Sequence, residues 1–301
     1  MTDFLIITST EDIASMNIRE RFLGDNLLEF KEAETKWHNN PLYKLEMVMA
    51  KKDWSPFFIN NNFYLGLTDT PLIQLNDLKL SKAEINPDLL IFASRHRSET
   101  ARPAFLVHTT GNWGDEADYG GNPREISRSS ALLLRTAYNS LQFQRSIKEM
   151  QDFEFDIEVT HHGPSTLEKP LVFMELGSSE QEWKIDKAAK LVAHAILNTC
   201  IDYTEALDKK LPVMCLGFGG THYAPQFKKL MSNKFVAISF ICPKYYIQNL
   251  DKSMIQQMIS NNLEPIDYFV IDWKGTNSAD KKHLIPLLEE FNIPIKKSKE
   301  F

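Results

Sequence analysis

The run Glu158-Val-Thr-His-His-Gly-Pro164 is where chemistry gathers most densely in this chain. Imidazole serves as a general base near neutral pH and as a ligand for zinc. Adjacent side chains on an extended strand point to opposite faces, so one of His161 and His162 would face a site while the other packs behind it. A turn at Gly163-Pro164 would instead let both face the site. Glu158 and Glu175 are the nearest carboxylates able to orient a histidine or activate water. Glu175 lies inside the apolar run Leu171-Val-Phe-Met-Glu-Leu176. Burying it unpaired would cost several kcal/mol, so a partner is expected.

Further histidines sit at the ends of apolar runs. His96 closes Ile91-Phe-Ala-Ser-Arg-His96, His108 closes Phe105-Leu-Val-His108, and His222 follows the glycine-rich turn after Val213–Phe218. A lone histidine is more often structural than functional. Several strands each delivering one to a carboxyl edge, where α/β proteins bind ligands, make a stronger signal. The segment Gly217-Phe-Gly-Gly-Thr-His-Tyr-Ala-Pro225 lies between a strand and a helix, and its N–H groups are placed to approach an anion. It is neither a Walker A motif nor a dinucleotide fingerprint, and no G-x-S-x-G elbow occurs. Water is therefore the expected nucleophile, activated by histidine, carboxylate or metal.

Eight runs read as buried strands: Phe4–Thr8, Leu89–Ala93, Ala104–His108, Phe153–Val159, Leu171–Leu176, Val213–Phe218, Phe235–Ile241 and Ile266–Ile271. Between them, Asn122-Pro123 opens a predicted helix towards Met150. Ser179-Glu-Gln-Glu182 is a capping box for another reaching about Lys209. A third spans Ala279–Phe291, with Pro286 as a kink or early stop. Alternating strands and helices predict an α/β fold with a mixed, mostly parallel central sheet flanked by helices. The stretch 31–81, with Asn60-Asn-Asn62 and Phe63–Leu67, reads as a small β-rich elaboration within one domain, 1–301.

Composition narrows the class. The chain has 301 residues, of which 43% are hydrophobic and 25% charged, enough for a sizeable core. A net charge of −6 argues against a non-specific nucleic-acid coat, though local basic patches around Arg95, Arg97 and Arg102 or Lys281 and Lys282 are compatible with it. No apolar run approaches the ~20 residues of a membrane span, and the N-terminus lacks secretory features. Cys200, Cys215 and Cys242 are odd in number and lack CxxC spacing, which points to a reducing, cytoplasmic setting.

Ordered motifs spread along the chain carry a resemblance. They are Ser15-Met-Asn-Ile-Arg-Glu-Arg21, Ser94-Arg-His96, His108-Thr-Thr-Gly-Asn-Trp113, Glu158-Val-Thr-His-His-Gly-Pro164, Phe173-Met-Glu-Leu-Gly-Ser178 with Glu182-Trp183, Gly217-Phe-Gly-Gly-Thr-His-Tyr-Ala-Pro225 and Asp272-Trp-Lys-Gly275. In these the sequence resembles the archaeal and plant type of D-aminoacyl-tRNA deacylase. It departs from the family pattern at Thr221, where a third glycine is usual, and at Ser165, where threonine is usual.

The resemblance implies a fold related to peptidyl-tRNA hydrolase and nucleoside phosphorylase, zinc dependence, and hydrolysis of the ester joining a D-amino acid to the tRNA 3′ end. Aldehyde-modified D-aminoacyl-tRNA is a further implied substrate. On this reading His161 or His162 is base or ligand with Glu175 in support, and His96, His108 and His222 are the zinc candidates. The expected substrate contacts are Arg95, Thr109, Asn112, Gly219, Gly220, Tyr223 and Lys274. Arg95 and Lys274 would meet phosphates, Trp113 or Tyr223 would stack on adenine, and the Thr109-Thr110-Gly111 backbone and the glycine turn would supply oxyanion donors. A monomer is expected to act on the acceptor end of the tRNA. Competing readings are a peptidyl-tRNA hydrolase-like or phosphorylase-like enzyme and a non-enzymatic protein that binds RNA 3′ ends.

Overall fold

The computed structural model describes residues 2–48 and 61–301. In chain order the elements are β1 (Phe4–Ser9), α1 (Ile13–Leu23), β2 (Leu28–Trp37), β3 (Asn40–Val48), β4 (Phe63–Thr68), α2 (Leu80–Ala83), β5 (Leu89–Arg97), β6 (Ala104–His108), β7 (Gly111–Asn112), β8 (Glu125–Ile126), α3 (Ala131–Ile147), β9 (Glu154–Ile157), β10 (Leu171–Ser178), α4 (Glu180–Trp183), α5 (Asp186–Leu207), β11 (Val213–Phe218), α6 (Pro225–Asn233), β12 (Val236–Cys242), α7 (Lys252–Ser260), β13 (Tyr268–Ile271), α8 (Ser278–Glu289) and β14 (Ile295–Lys297).

Two sheets organise them. The larger is mixed, in the order β2-β3-β4-β1-β5-β10-β6-β9, and the smaller is parallel, in the order β12-β11-β13-β14. The mixed α/β architecture is therefore as expected. Strands β2, β3 and β4, from the β-rich stretch, extend the edge of the large sheet, where β3 pairs antiparallel with β4. Asn60 of the expected turn lies outside the described residues.

Alternation along the central strands creates two chemically different faces. Ile91, Ala93, Val172, Met174 and Leu176 pack in one core with Ile18 of α1, Leu133 of α3 and Ile196 of α5. Each of the larger side chains, fully buried, stabilises the fold by about 1.5–3 kcal/mol. Leu90, Phe92, Leu171 and Phe173 occupy the other face with Trp37, Leu75 and Leu78. Further along that second face the sequence turns polar, at Ser94 and His96 on β5 and at Glu175 on β10. The two sheets share core residues, since Cys215, Ile238 and Val270 join the larger cluster.

Three helix boundaries differ from expectation. The helix expected from Asn122-Pro123 begins only at Ala131, where the Ser130 side chain accepts from Leu133 N. Residues before it are occupied otherwise: β8 pairs with β7, and Asn122 N donates to Ser165 Oγ at 2.9 Å. The capping box at Ser179 is present, but its helix stops after one turn at Trp183. There the Asn17 amide takes the Trp183 carbonyl at 3.0 Å, and Ile185 is extended before α5 starts. The last helix passes through Pro286 and ends at Glu289 rather than Phe291.

Candidate active site

The histidines do not meet at one carboxyl edge. β6 runs antiparallel to β10, and β9 runs parallel to β6, so their ends point opposite to those of β5 and β10. The common expectation of a single edge is thereby corrected. What unites them is a shared face: His96 is opposite Gly177, His108 is opposite Phe173, and Glu175 stands between these positions on β10. Glu175 Oε2 lies 3.3 Å from His96 Nδ1, and its Oε1 lies 3.5 Å from His108 Nε2. The partner expected for this buried carboxylate is thus a pair of imidazoles.

The second sheet closes the group from the far side. Ile241 N, on β12, donates to Thr160 Oγ1 at 3.0 Å, while Thr160 N and Val159 N donate to Ile241 O and His222 O. These bonds draw the 158–163 segment between the sheets. His222 Nε2 then reaches Glu158 Oε1 at 2.8 Å, and Glu158 Oε2 lies 3.5 Å from His96 Nδ1. The chain turns at His162, whose φ is 42°, so His161 and His162 face the same space with ring centroids 4.4 Å apart. His161 also lies 4.2 Å from the His108 ring and 4.8 Å from the His222 ring.

Backbone carbonyls set the direction of three rings. The Nδ1–H groups of His108, His161 and His162 donate to the carbonyls of Thr109, Val159 and Gly163, at 3.0, 2.7 and 2.7 Å. Such bonds leave Nε2 of His161 and His162 as a lone pair, the arrangement found in histidine ligands to metals, while His108 Nε2 faces Glu175 Oε1 at 3.5 Å. Burial alone would raise both carboxylates. The His222 contact and the surrounding imidazoles instead hold Glu158 down at about 2, and His108 and His96 hold Glu175 well below the usual range. Burial likewise opposes charge on His96 and His108, but Glu175 and Glu158 outweigh it and raise both. Burial with His108 as neighbour pushes His161 far down and His162 to about 4, so these two are neutral at pH 7.

The other anticipated residues divide. Tyr223 stands at the rim, 39% exposed, with its ring 5.3 Å from His222 and 6.4 Å from His96. Arg95 falls on the opposite face of β5 from His96; its guanidinium lies 5.5 Å from the Trp183 ring and donates to Glu11 O. Asn112 holds the neighbouring loop by donating to Gly120 O and Asn122 O. Thr109 is buried, its hydroxyl bonded to Ser239 O and Thr160 Oγ1. Trp113 is core, with its indole N–H on Thr160 O. Lys274 is exposed beyond the glycine turn.

Two expectations about donors and ligands need correction. Gly219 N and Gly220 N are spent on Cys242 O and Gly275 O, and Gly111 N on His162 O, so none of these can serve as an oxyanion donor here. The glycines instead supply left-handed backbone, at φ 99° and 83°, so Thr221 needs none. His96, His108 and His222 do not form one ligand triad. They fall into three overlapping groups: His108 with His161 and His162; Glu158 with His161 and His222; and His96 with Glu158 and Glu175. The reason is topological, since His96 and His108 flank β10 while His222 enters from the other sheet.

Glu158 is thus as central as Glu175; the sequence offered both as carboxylates, but the mechanism implied by the resemblance used Glu175 alone. Its signal was the strict alternation Phe153-Glu-Phe-Asp-Ile-Glu-Val159, which sets it among polar positions. Gly177 was also missed. A Cβ there would stand 2.6 Å from His96 Cβ, so only glycine lets the His96 backbone and ring lie against β10.

Five imidazoles and two carboxylates meeting between two sheets, with no serine or cysteine nucleophile among them, define a hydrolytic centre of the kind that activates water. A family model described as D-aminoacyl-tRNA deacylase matches residues 83–296. A D-aminoacyl-tRNA deacylase of Archaeoglobus fulgidus is 34% identical over 300 residues, covering 98% of this chain and 96% of its own. One from Thermococcus onnurineus is 33% identical over 293 residues, covering 96% and 97%. A crystal structure of a conserved protein of unknown function superposes with a TM-score of 0.81 at 31% identity, covering 99% of this chain and 96% of that one. The chain belongs to the D-aminoacyl-tRNA deacylase family, and it is accordingly a hydrolase of ester bonds. Among the described residues no helix is long and apolar enough to cross a membrane.

Proposed function

We propose that this cluster hydrolyses the ester of D-aminoacyl-tRNA, releasing the D-amino acid and free tRNA, with zinc held by its histidines and carboxylates. The observation that carries the zinc reading is a set of buried polar atoms without hydrogen-bond partners, His96 Nε2, His108 Nε2 and Glu158 Oε2, the last two with only an ion-pair neighbour at 3.5 Å. Leaving such atoms unsatisfied costs about 1–3 kcal/mol each, so a ligand that uses them is the natural completion of the site. Imidazole with carboxylate is a donor set suited to zinc. Glu158 with His161 and His222, or His96 with Glu158 and Glu175, would hold it, with His108 alongside. When bound, zinc there supplies a Lewis acid for the ester carbonyl and lowers the pKa of water.

The remaining chemistry falls to the chain itself. Attack of water oxygen on the carbonyl carbon gives a tetrahedral oxyanion, and collapse breaks the bond to the ribose 3′-oxygen. His162 is neutral, its Nδ1–H is fixed by Gly163 O, and it is partly open to solvent. Its Nε2 takes the proton from water and returns it to the departing 3′-oxygen. Tyr223, at the rim between His96 and His222, contacts the aminoacyl or adenosine part of the substrate. The deciding assay compares D- and L-tyrosyl-tRNA, with and without a chelator. Selective cleavage of the D-ester, lost on chelation and restored by Zn²⁺, supports the proposal. Full activity of metal-free protein would rule out zinc, and equal cleavage of both esters would rule out the D-specific reading.

A further inference from the structure

The carboxyl edge of the smaller sheet carries a cationic feature that the hydrolytic cluster does not use. Trp273 leaves β13 and is 37% exposed. Lys281 Nζ and Lys297 Nζ each lie 4.6 Å from its ring centroid, and Lys281 Nζ also donates to Trp273 O at 3.1 Å. The indole therefore gathers two ammonium groups to within about 9 Å of each other, where like charges repel unless an anion joins them. Lys274 is exposed beside them, and no carboxylate pairs with Lys274 or Lys281 among the described residues.

The acids of this region cancel only part of that charge. Asp272 and Asp280 are buried, accepting from Gly275 N and Gln248 Nε2. Glu290 pairs with Lys252 at 2.8 Å. Glu300 accepts from Lys297 N at 2.8 Å and lies 3.6 Å from Lys297 Nζ, so it offsets part of that lysine's charge and leaves Lys274 and Lys281 uncompensated. On a chain of net charge −6 this is a local positive site.

Its position ties it to the active site. Ile271 on β13 is in register with both Phe218 on β11 and Lys297 on β14, so the three strand exits lie side by side. At a strand spacing of ~4.8 Å, β14 exits about 10 Å from β11. Gly220 N donates to Gly275 O, which seats the Asp272–Gly275 turn two residues before His222.

We propose that Trp273, Lys274, Lys281 and Lys297 form a phosphodiester-binding platform for the tRNA 3′ strand, a few nucleotides upstream of the ester. This rests on the reading of the substrate as an aminoacyl-tRNA. The indole positions the ammonium groups, which bind backbone phosphates without reading base sequence.

The test uses the full chain carrying Lys281→Gln with Lys297→Gln, beside a control of equal charge change, Lys187→Gln with Lys210→Gln. Affinity for uncharged tRNA is measured across a KCl series, and kcat and KM are measured with D-tyrosyl-tRNA and with the short ester 3′-O-(D-tyrosyl)adenosine. The platform variant should raise KM for tRNA roughly tenfold at ~0.1 M salt and reduce the slope of log Kd against log salt by ~1.4, two single-strand contacts. Its effect on the short ester should be under twofold. An unchanged salt slope, an equal effect of the control, or an equal loss on the short ester each overturns the platform. The binding arm is independent of cleavage, so absent deacylation by wild-type protein would count against the deacylase reading alone. If the double variant does not fold, Lys274→Gln carries the same measurements, with a slope change of ~0.7 expected.

Discussion

His222 Nε2 lies 2.8 Å from Glu158 Oε1, and this contact joins the exit of β11 in one sheet to the exit of β9 in the other. Glu158 is fully buried, and its second oxygen has no hydrogen-bond partner. The carboxylate is thus both a clasp between the sheets and a donor facing the cluster. Glu158→Gln keeps the shape and removes the charge. On the proposed zinc reading, bound zinc falls by at least half after dialysis and kcat drops about 10–100-fold, as for loss of a group that orients a ligand. Metal analysis and single-turnover deacylation check it; full metal content with full activity would remove Glu158 from the site.

His161 and His162 separate by their surroundings. His161 belongs to two of the three ligand groups and His162 to one, while both are partly open to solvent. His161→Ala should lose both metal and turnover. His162→Ala should retain most of its metal, bind tRNA within about threefold of wild type, and lose roughly 10²–10⁴ in kcat, the usual contribution of a general base. Loss of tRNA binding in parallel with turnover would instead favour a structural role for the pair.

Gly177→Ala tests the packing behind His96. The new Cβ would meet His96 Cβ at 2.6 Å and His96 O at 2.7 Å, and backbone cannot yield as a flexible side chain does. A destabilisation of about 1–3 kcal/mol in urea unfolding is expected, with activity reduced further because His96 is displaced. Wild-type activity in a stable variant would mean that β5 and β10 have slack that the geometry does not indicate.

Asp25 gives a stability prediction away from the site. It follows α1 and accepts from His194 Nε2 at 2.6 Å and from Lys190 Nζ at 3.0 Å, both on α5. Burial would raise its pKa, but these two partners hold it at about 2. A carboxylate with a depressed folded value stabilises the protein fully above its unfolded value and loses that contribution as pH falls. The stabilisation should therefore fade between about pH 4 and pH 2. Asp25→Asn should cost about 1.5–3 kcal/mol at pH 7 and flatten that part of the stability profile. Urea midpoints from pH 7 down to pH 2.5 measure it, and parallel profiles for the two proteins would contradict the assignment.

The strands and their apolar faces were legible because a buried strand shows itself locally. Phe4, Leu89, Ala104 and Leu171 each open a strand where the apolar run in the sequence begins. Boundaries were less legible where a distant group competes for the backbone. Nothing near Trp183 in the sequence announces that Asn17 takes its carbonyl and ends the helix. The same holds for Gly219 and Gly220, whose amides looked free in sequence and are bonded to Cys242 and Gly275.

Of the site, the sequence by itself determined the inventory: the five histidines, Glu158 and Glu175, and the absence of a serine elbow, since residue types and local motifs are properties of the chain. Only the tertiary structure decided their grouping. Strand direction put β6 against β10 the opposite way to β5, and the second sheet carried His222 to Glu158. Which imidazoles share a ligand group depends on distances of a few ångströms between residues far apart in sequence. Such distances follow from sheet order and the packing of one sheet on another, and spacing along the chain does not encode them.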